Sequence, residues 1–194
     1  MERERIVLES GNKHKIKEIQ QMLPDYEIVG YKDLGFYFEI EEDGKTFYEN
    51  ALIKAKTVSE KLALPALADD SGICVDALNG EPGIYSARYA GDGVDEHNND
   101  LLLKNMQGKK NREAKFVCCM VYYRPDGKIL TATGETKGEI MDKCYGKNGF
   151  GYDPLFFSHD LQKCLGIASD KEKNTISHRF RAIEQISKKI KELR

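Results

Sequence analysis

Apolar and polar positions near the start of the chain predict a strand, a tight loop and a helix. Residues 6–8 form an apolar run that ends at Ser10, and the apolar residues that follow recur at helical spacing: Ile16, Ile19 and Leu23. Asn12 is placed to cap this helix and Pro24 to end it. A second strand is predicted over residues 27–31.

A long amphipathic helix is the next predicted element. Thr46 and Glu49 have the spacing of a capping box, and one apolar face follows: Phe47, Ala51, Ala55, Val58 and Leu62. Residues 66–68 form a short strand that runs into Asp69-Asp70-Ser71-Gly72, and a further strand is predicted over residues 73–77. Polar groups at a strand end mark the usual place of a binding site in an open α/β sheet.

The rest of the chain predicts a helix over 95–106, a β-hairpin with strands over 114–123 and 128–136, and a C-terminal helix with an apolar stripe over 176–193. The element order predicts a mixed α/β fold with an antiparallel portion. No low-complexity tract or Gly/Ser linker interrupts the chain. We therefore expect one domain over 1–194, with room for two tightly joined halves that share a core.

The charge of the chain is nearly balanced. The 194 residues include 30 Lys and Arg and 32 Asp and Glu, a formal net charge of −2 with a pI near 6.1. Such a balance gives no global field to attract nucleic acid or an anionic membrane, so an anion must be held by a local site. The five cysteines include no CxxC pair, and no segment reads as a signal peptide or a membrane span. We expect reduced thiols in a cytoplasmic protein.

Two segments have the character of a phosphate site. The loop Ser10-Gly11-Asn12-Lys13-His14-Lys15 offers backbone N–H groups, the positive end of a helix dipole and a lysine charge. Lys54 lies four residues after Asn50 on the long helix and is placed to reach a phosphate. For the loop, the alternative is an ordinary capped helix with solvated lysines. For Asn50 and Lys54, the alternative is a surface pair at i, i+4.

The carboxylates around the 69–72 segment suggest a metal site. One of Asp69 and Asp70 can bind a divalent cation or activate water while its neighbour is anchored to backbone. Further oxygen ligands are available just before the long helix: Glu41, Glu42 and Asp43. Ligation by oxygen alone favours Mg²⁺ or Mn²⁺ over zinc. A turn that uses Asp and Gly for local hydrogen bonds is the alternative.

Two later segments offer groups that suit a base. Residues 146–154 place Phe150 and Tyr152 among three glycines, which presents flat rings and bare amides to a planar ligand; a glycine-rich hairpin is the alternative. Residues 171–179 place cations near the start of the C-terminal helix, against its dipole: Lys173, His178 and Arg179. This suggests an anionic or carbonyl-bearing ligand, and a solvated basic stretch is the alternative.

Six segments, in this order, resemble one protein family over essentially the full length: SGNKHK (10–15), TFYENALIKAK (46–56), ADDSG (68–72), GEPGIYSARYAG (80–91), GFGYDPLF (149–156) and KNTISHR (173–179). The family is that of the inosine/xanthosine triphosphate pyrophosphatases, hydrolases of non-canonical purine nucleoside triphosphates. The resemblance implies a two-lobed, elongated mixed sheet with flanking helices and a central substrate cleft. It also implies a homodimer.

The resemblance assigns roles to individual residues. Asp70 would accept a proton and bind Mg²⁺, with Mn²⁺ a possible substitute, and Glu41 of the Glu41-Glu42 pair would be the second metal ligand. Asp69 would support Asp70. Residues 10–15 and Lys54 would hold the triphosphate. His178 and Arg179 would contact the six-keto edge of the purine, and Lys173 the phosphates or the base. The other substrate contacts would come from Ser71, Phe150, Gly151, Tyr152 and Asp153. Ser86 and Arg88 are expected to be structural.

The expected reaction is attack of a metal-activated water on the α-phosphorus, which gives the monophosphate and pyrophosphate. Inosine and xanthosine present a six-keto oxygen that Arg179 or backbone donors can bind, whereas adenine presents a donor there. A Maf-type nucleotide hydrolase is one alternative, against which the GFGYDP and SHR motifs argue. A non-catalytic nucleotide-binding module is another, against which the carboxylates beside Lys15 and Lys54 argue.

Overall fold

Seven strands pair in one mixed sheet in the computed structural model, which describes residues 3–193. The strands are β1 (Glu4–Leu8), β2 (Tyr26–Gly30), β3 (Ala66–Val75), β4 (Glu113–Tyr123), β5 (Ile129–Ile140), β6 (Phe156–Ser158) and β7 (Lys163–Cys164). Their order across the sheet is β2-β1-β3-β4-β5-β6-β7. β1 is parallel to β2 and β3, and β6 is antiparallel to β5 and β7. The predicted mixed α/β class is confirmed.

Five α-helices flank the strands in the described part of the chain: α1 (Lys13–Met22), α2 (Phe47–Leu62), α3 (Asp95–Asn105), α4 (Asp170–Ile176) and α5 (His178–Lys191). Short 3-10 helices cover Asp76–Leu78, Gly83–Arg88 and Asp153–Leu155. Among the residues from 3 to 193, no helix has the length and apolarity needed to cross a bilayer.

The contacts divide the chain into two compact units. Unit 1 comprises the residues up to Asp70, Cys119–Thr133 and the residues from Ala182 onward, and unit 2 comprises Ser71–Cys118 and Gly134–Arg181. The expectation of one catalytic domain over 1–194, of which residues 1, 2 and 194 lie outside the described part, stays a prediction. The substrate cleft implied by the resemblance also stays one.

Unit 1 buries the apolar face that the sequence predicts for α2. Ala51, Ala55 and Val58 are fully buried against strand residues that include Ala66 and Ala68. The predicted capping box is half wrong: Thr46 Oγ1 accepts from Glu49 N at 3.1 Å, but the Glu49 carboxylate accepts from Lys45 N instead of from the cap residue.

Unit 2 has its own apolar core, which includes three buried aromatic residues. Phe116 and Phe156 pack with ring centroids 4.6 Å apart, and Tyr152 and Leu155 are buried in the same cluster. Tyr152 OH donates to the backbone carbonyl of Ser86 at 2.6 Å, which satisfies the one polar atom of a buried ring. This core anchors the segment on which Phe150 and Asp153 lie.

Two predicted element boundaries are wrong. β3 continues without a break through Asp69-Asp70-Ser71-Gly72, so the carboxylates lie within a strand and not at its end. The C-terminal helix is interrupted at Ser177, whose extended backbone (φ −64°, ψ 145°) separates α4 from α5. A capping box between Ser169 and Glu172 begins α4. The glycine-rich segment 146–154 forms a loop and a 3-10 turn and no hairpin.

Candidate active site

The loop before α1 takes the form that the sequence predicts. Asn12 caps the helix, and its side-chain oxygen accepts from His14 N at 2.9 Å and Lys15 N at 3.2 Å. Ser10 Oγ accepts from Asn12 N at 3.1 Å. Gly11, Asn12, Lys13 and His14 are exposed. Because the Asn12 side chain already occupies two of the N–H groups, a ligand at this helix end would have to use others or displace it.

Buried lysines and carboxylates meet in unit 1, and we call Glu9, Lys15, Glu42, Lys54, Asp69 and Asp70 the lysine–carboxylate cluster. Lys54 Nζ lies 3.1 Å from Glu42 Oε2 and 3.6 Å from Asp70 Oδ1. The Lys15 ammonium contacts the Asp69 carboxylate. The side chains of Lys54 and Lys15 are 10% and 12% exposed, so these ion pairs are shielded from water. Each predicted phosphate-binding lysine is therefore paired with a different residue of the Asp69-Asp70 dipeptide.

Asn50 completes the surroundings of Asp70. Its Nδ2 donates to Asp70 Oδ2 at 3.2 Å, and its Oδ1 accepts from Gly44 N at 2.9 Å. Asn50 and Lys54 share a face of α2, as their spacing predicts, but both contact Asp70. Each oxygen of the Asp70 carboxylate thus has its own partner, which fixes the orientation of the carboxylate.

The charges of the cluster shift one another's pKa values. Burial raises the pKa of Asp70, although Lys54 and Asn50 oppose this. Burial lowers the pKa of Lys54, but the Asp70, Glu42 and Glu9 carboxylates outweigh it, so this pKa is raised overall. Burial also raises the pKa of Glu9 to about 7. Glu9 is not among the predicted site residues, although it is a carboxylate directly after the buried strand β1 and next to the predicted phosphate loop.

The pair Glu41-Glu42 is separated by the fold. Glu42 contacts Lys54 and, with Glu9, lines a cavity of about 580 Å³ in unit 1. Both glutamates are exposed, but Glu41 makes no contact with the cluster among the described residues. The aromatic part of the lining comes from Tyr31, Tyr37 and Phe38. The geometry favours Glu42 over the predicted Glu41 as the carboxylate that accompanies Asp70.

Glu9 is expected to make the folded protein less stable as the pH rises. Its carboxyl has a folded pKa of about 7 against an ordinary value of 4.5, so the folded state binds more protons between these values and loses stability across them. The Glu9→Gln variant lacks this loss. Its free energy of unfolding relative to that of wild type should therefore increase by up to about 3 kcal/mol between pH 5 and pH 8. Urea unfolding of both proteins at the two pH values, without divalent metal, measures the difference. An equal difference at both would contradict the shift.

Unit 2 forms an aromatic pocket of about 210 Å³. Eight predicted substrate-contacting residues line it together: Ser71, Phe150, Gly151, Tyr152, Asp153, Lys173, His178 and Arg179. Three further lining residues are not among the predicted ones, and apolar spacing gives no sign that they border a pocket: Ala87, Asp95 and Phe116. The fold thus brings three distant motifs to one cavity.

Phe150 presents its ring at this pocket and is 64% exposed. Lys173 Nζ lies 4.2 Å from the ring centroid, in cation–π contact, and pairs with the Asp153 carboxylate. Asp153 Oδ2 also accepts from Phe150 N at 2.9 Å, and a side chain at Gly149 would collide with this oxygen. Lys173 occupies the last turn of α4, where a cation favours the helix dipole, so the predicted opposition to the dipole is wrong for this residue.

His178 and Arg179 begin α5, as predicted. The His178 ring stacks on Phe116 with centroids 5.1 Å apart and an interplanar angle of 15°. Ser86 Oγ accepts from Ile73 N and donates to Gly83 O, and Ser86 also lines the aromatic pocket, so its structural role stays a prediction. The guanidinium of Arg88, also expected to be structural, lies 5.3 Å from the centroid of the exposed Tyr85 ring.

A group of potential metal ligands also lies elsewhere in unit 2. Glu113, Glu139 and His159 have ligand atoms within 4.8 Å of one another, and all three side chains are solvent-accessible. His159 Nε2 lies 3.9 Å from Glu139 Oε2. This group is not predicted from the sequence, and none of its members belongs to the aromatic pocket.

Unit 1 pairs carboxylates with buried lysines, and unit 2 has an aromatic cavity lined in part by cations. Together with the α/β fold, these features are typical of a nucleotide-binding protein. The sequence pattern of the Ham1 family matches residues 6–189. The chain belongs to the Ham1 family.

Named relatives support this membership. The chain is 44% identical over 191 residues to a dITP/XTP pyrophosphatase of Treponema denticola, which covers 96% of this chain and 98% of the relative. It is 46% identical over 188 residues to a dITP/XTP pyrophosphatase of Campylobacter jejuni, with coverage of 93% and 94%. The solved structure of the Staphylococcus aureus Ham1 protein superposes with a TM-score of 0.94 at 42% identity, over 98% of this chain and 100% of that one.

Proposed function

We propose that the protein hydrolyses the triphosphates of inosine and xanthosine, in ribose or deoxyribose form, to the monophosphate and pyrophosphate. The contact of Lys54 with both Asp70 and Glu42 carries this proposal, because it joins a phosphate-binding cation to two carboxylates. The names of the Treponema and Campylobacter relatives supply the substrate class. A small nucleotide is thus the proposed partner, and nucleic acid and membranes are not.

The lysine–carboxylate cluster is proposed to bind the triphosphate and its metal. Lys15 and Lys54 each have three ammonium N–H donors, so they would bind phosphate oxygens while still contacting their carboxylates, and the 10–15 loop would add N–H groups. Asp70 and Glu42 offer hard oxygen donors beside one ammonium group, a donor set that suits Mg²⁺ or Mn²⁺. Such a cation would neutralise phosphate charge and lower the pKa of a bound water.

Asp70 is proposed to accept the proton of the attacking water. Lys54 and Asn50 hold its two oxygens in one orientation, and its raised pKa brings it closer to the range of an effective base. Asp69 is proposed to act indirectly by holding Lys15. The product pyrophosphate would leave with its charge balanced by the two lysines.

The aromatic pocket of unit 2 is proposed to bind the base. The Phe150 ring offers a stacking surface, and stacking by itself accepts any base. Identity then depends on hydrogen bonds, for which Lys173, His178 and Arg179 provide donors at the pocket wall. A six-keto oxygen accepts from these donors, whereas the six-amino group of adenine leaves them unpaired.

One assay tests the proposed activity. The protein is incubated with Mg²⁺ and the triphosphates of inosine, xanthosine, guanosine, adenosine and uridine, and pyrophosphate and orthophosphate are measured separately. We expect pyrophosphate alone, with inosine and xanthosine preferred. The proposal is contradicted if orthophosphate is the sole product. A preference for uridine triphosphate would also contradict it and would favour a Maf-type hydrolase. Binding without turnover would contradict it too and would favour a non-catalytic module.

Glu42→Gln is expected to weaken activation by Mg²⁺ about tenfold or more, because it removes one of two anionic oxygen ligands. Glu41→Gln is the matched control: the same change at the neighbouring position, which makes no contact with Lys54 among the described residues, should leave the activation constant unchanged. The measurement is the rate of pyrophosphate release over a series of Mg²⁺ concentrations. A larger effect for Glu41→Gln than for Glu42→Gln would restore Glu41 as the ligand.

We also propose a cytoplasmic homodimer. The five cysteines of the chain are all free thiols, which suits a reducing compartment. The dimer follows from the family resemblance, and its test is the mass in solution by light scattering. A monomer at micromolar concentration would contradict it.

A further inference from the structure

Two side chains of α3 bind the backbone of Gly151 at both of its polar groups. Gly151 N donates to Asp95 Oδ2 at 2.7 Å, and Asn99 Nδ2 donates to Gly151 O at 3.0 Å. Asp95 and Asn99 are four residues apart and so lie on one face of the helix. Asn99 is 6% exposed, and the bond from Gly151 N ends on a carboxylate, which strengthens it.

Phe150 directly precedes Gly151, and the position of its ring depends on hydrogen bonds to the neighbouring backbone. Its ring is 64% exposed, so packing does little to fix it. The flanking residues Gly149 (φ +75°) and Gly151 (φ +58°) adopt left-handed backbone, and glycine has many other conformations open to it. Asp153 holds Phe150 N on one side, and the α3 pair holds the next residue on the other.

We infer that Asp95 and Asn99 are positioning residues for base recognition, which hold Phe150 so that its ring forms the surface on which the purine stacks. The inference rests on the proposed function, which assigns stacking to Phe150. A displaced ring would move the purine edge relative to Lys173, whose Nζ lies 4.2 Å from the ring centroid. Loss of the α3 contacts therefore costs substrate affinity and base discrimination, and leaves the chemical step intact.

Four variants separate this role from general stability. Asp95→Ala removes the acceptor for Gly151 N, and Asn99→Asp replaces the donor to Gly151 O with a second acceptor. Asp95→Asn is the conservative variant, since its amide oxygen can still accept from Gly151 N. Asp100→Asn, at an exposed position of the same helix, is the control.

The first measurement is steady-state hydrolysis of inosine and adenosine triphosphates. Asp95→Ala and Asn99→Asp are expected to raise KM for inosine triphosphate about tenfold, the size of a lost stacking contact, with kcat within about twofold of wild type. The preference for inosine over adenosine triphosphate should fall in the same variants. Asp95→Asn should recover most of the affinity, and Asp100→Asn should match wild type.

The second measurement repeats Asp95→Ala in a Phe150→Ala background. If Asp95 acts through the ring, its substitution adds less than about twofold once the ring is gone. Amide hydrogen exchange of residues 146–152 in the ligand-free protein reports the same contact without turnover, and it should accelerate in Asp95→Ala and Asn99→Asp.

Several results would overturn the inference. If Asp95→Ala and Phe150→Ala affect KM independently, the contacts do not position the ring. The same conclusion follows if both α3 variants leave amide exchange and KM unchanged. If Phe150→Ala raises KM and the α3 variants do not, the inference fails and the proposed stacking stands. If Phe150→Ala leaves KM unchanged, both fail together. Should Asp95→Ala not fold, Asn99→Asp and Asp95→Asn decide.

Discussion

Asp70→Asn is expected to lower kcat for inosine triphosphate by about 10²–10⁴-fold, the usual contribution of a general base. The amide is close in shape to the carboxylate, and its oxygen can still accept from Asn50 Nδ2, a bond of 3.2 Å in the wild type. It cannot accept a proton from water at neutral pH. The rate of pyrophosphate release at saturating substrate and Mg²⁺ measures the loss.

The same variant should keep its stability. Burial raises the pKa of Asp70, so the folded state disfavours its ionised form, and wild type loses stability relative to Asp70→Asn as the pH rises. Urea unfolding at pH 8 should therefore show no destabilisation. Asp69→Asn is the control, because its carboxylate pairs with Lys15, and a smaller loss of kcat is expected. A rate within tenfold of wild type would remove Asp70 from the mechanism.

Lys54→Met is expected to destabilise the protein by about 3 kcal/mol at pH 8, because it leaves buried carboxylates without their cation. The Lys54 side chain is 10% exposed, and those of Asp70 and Glu42 are 14% and 35% exposed, so water compensates the loss only in part. At pH 5 the destabilisation should be smaller, since without Lys54 the pKa of the Asp70 carboxyl rises further and this group protonates. Urea unfolding at both pH values measures it.

Lys56→Met is the matched control on the same helix, with a side chain that is 52% exposed and pairs with Glu60 at the surface. It should change stability by less than about 1 kcal/mol. Adding Glu42→Gln and Asp70→Asn to Lys54→Met should restore much of the loss. Equal destabilisation by Lys54→Met at pH 5 and pH 8 would mean that packing of the side chain, and not its charge, holds this part of unit 1.

The sequence predicts the long, regular elements well. The helix over α2 follows from apolar residues at helical spacing, and Ala51, Ala55 and Val58 are buried as that pattern requires. The continuity of β3 could not be predicted, because Asp, Ser and Gly usually signal turns. The break before α5 could not be predicted because Ile176 and Phe180 keep helical spacing across Ser177. In β3 the charges of Asp69 and Asp70 are instead compensated by lysines from other elements, and sequence spacing carries no information on such partners.

Some residues of the candidate site could be predicted from the sequence, and others could not. Motifs identified the residues of the aromatic pocket, because rings and cations in glycine-rich or basic segments are unusual enough to stand out. Glu9, Asp95 and Asn99 escaped notice, since each is one polar residue in an ordinary strand end or helix. The significance of Glu9 comes from its burial near the charge of Lys54, and that of Asp95 and Asn99 comes from their contacts with Gly151; only the folded backbone creates these arrangements.

The unbroken strand β3 makes the two aspartates non-interchangeable. Successive side chains of a strand point to opposite faces, so Asp69 reaches Lys15 while Asp70 reaches Lys54. Deleting one residue of β3 before Asp69 would reverse the facing of both carboxylates and present each lysine with the wrong neighbour. The alternation of side chains along the strand thus assigns each aspartate to one lysine. A loop at this position would not fix that assignment.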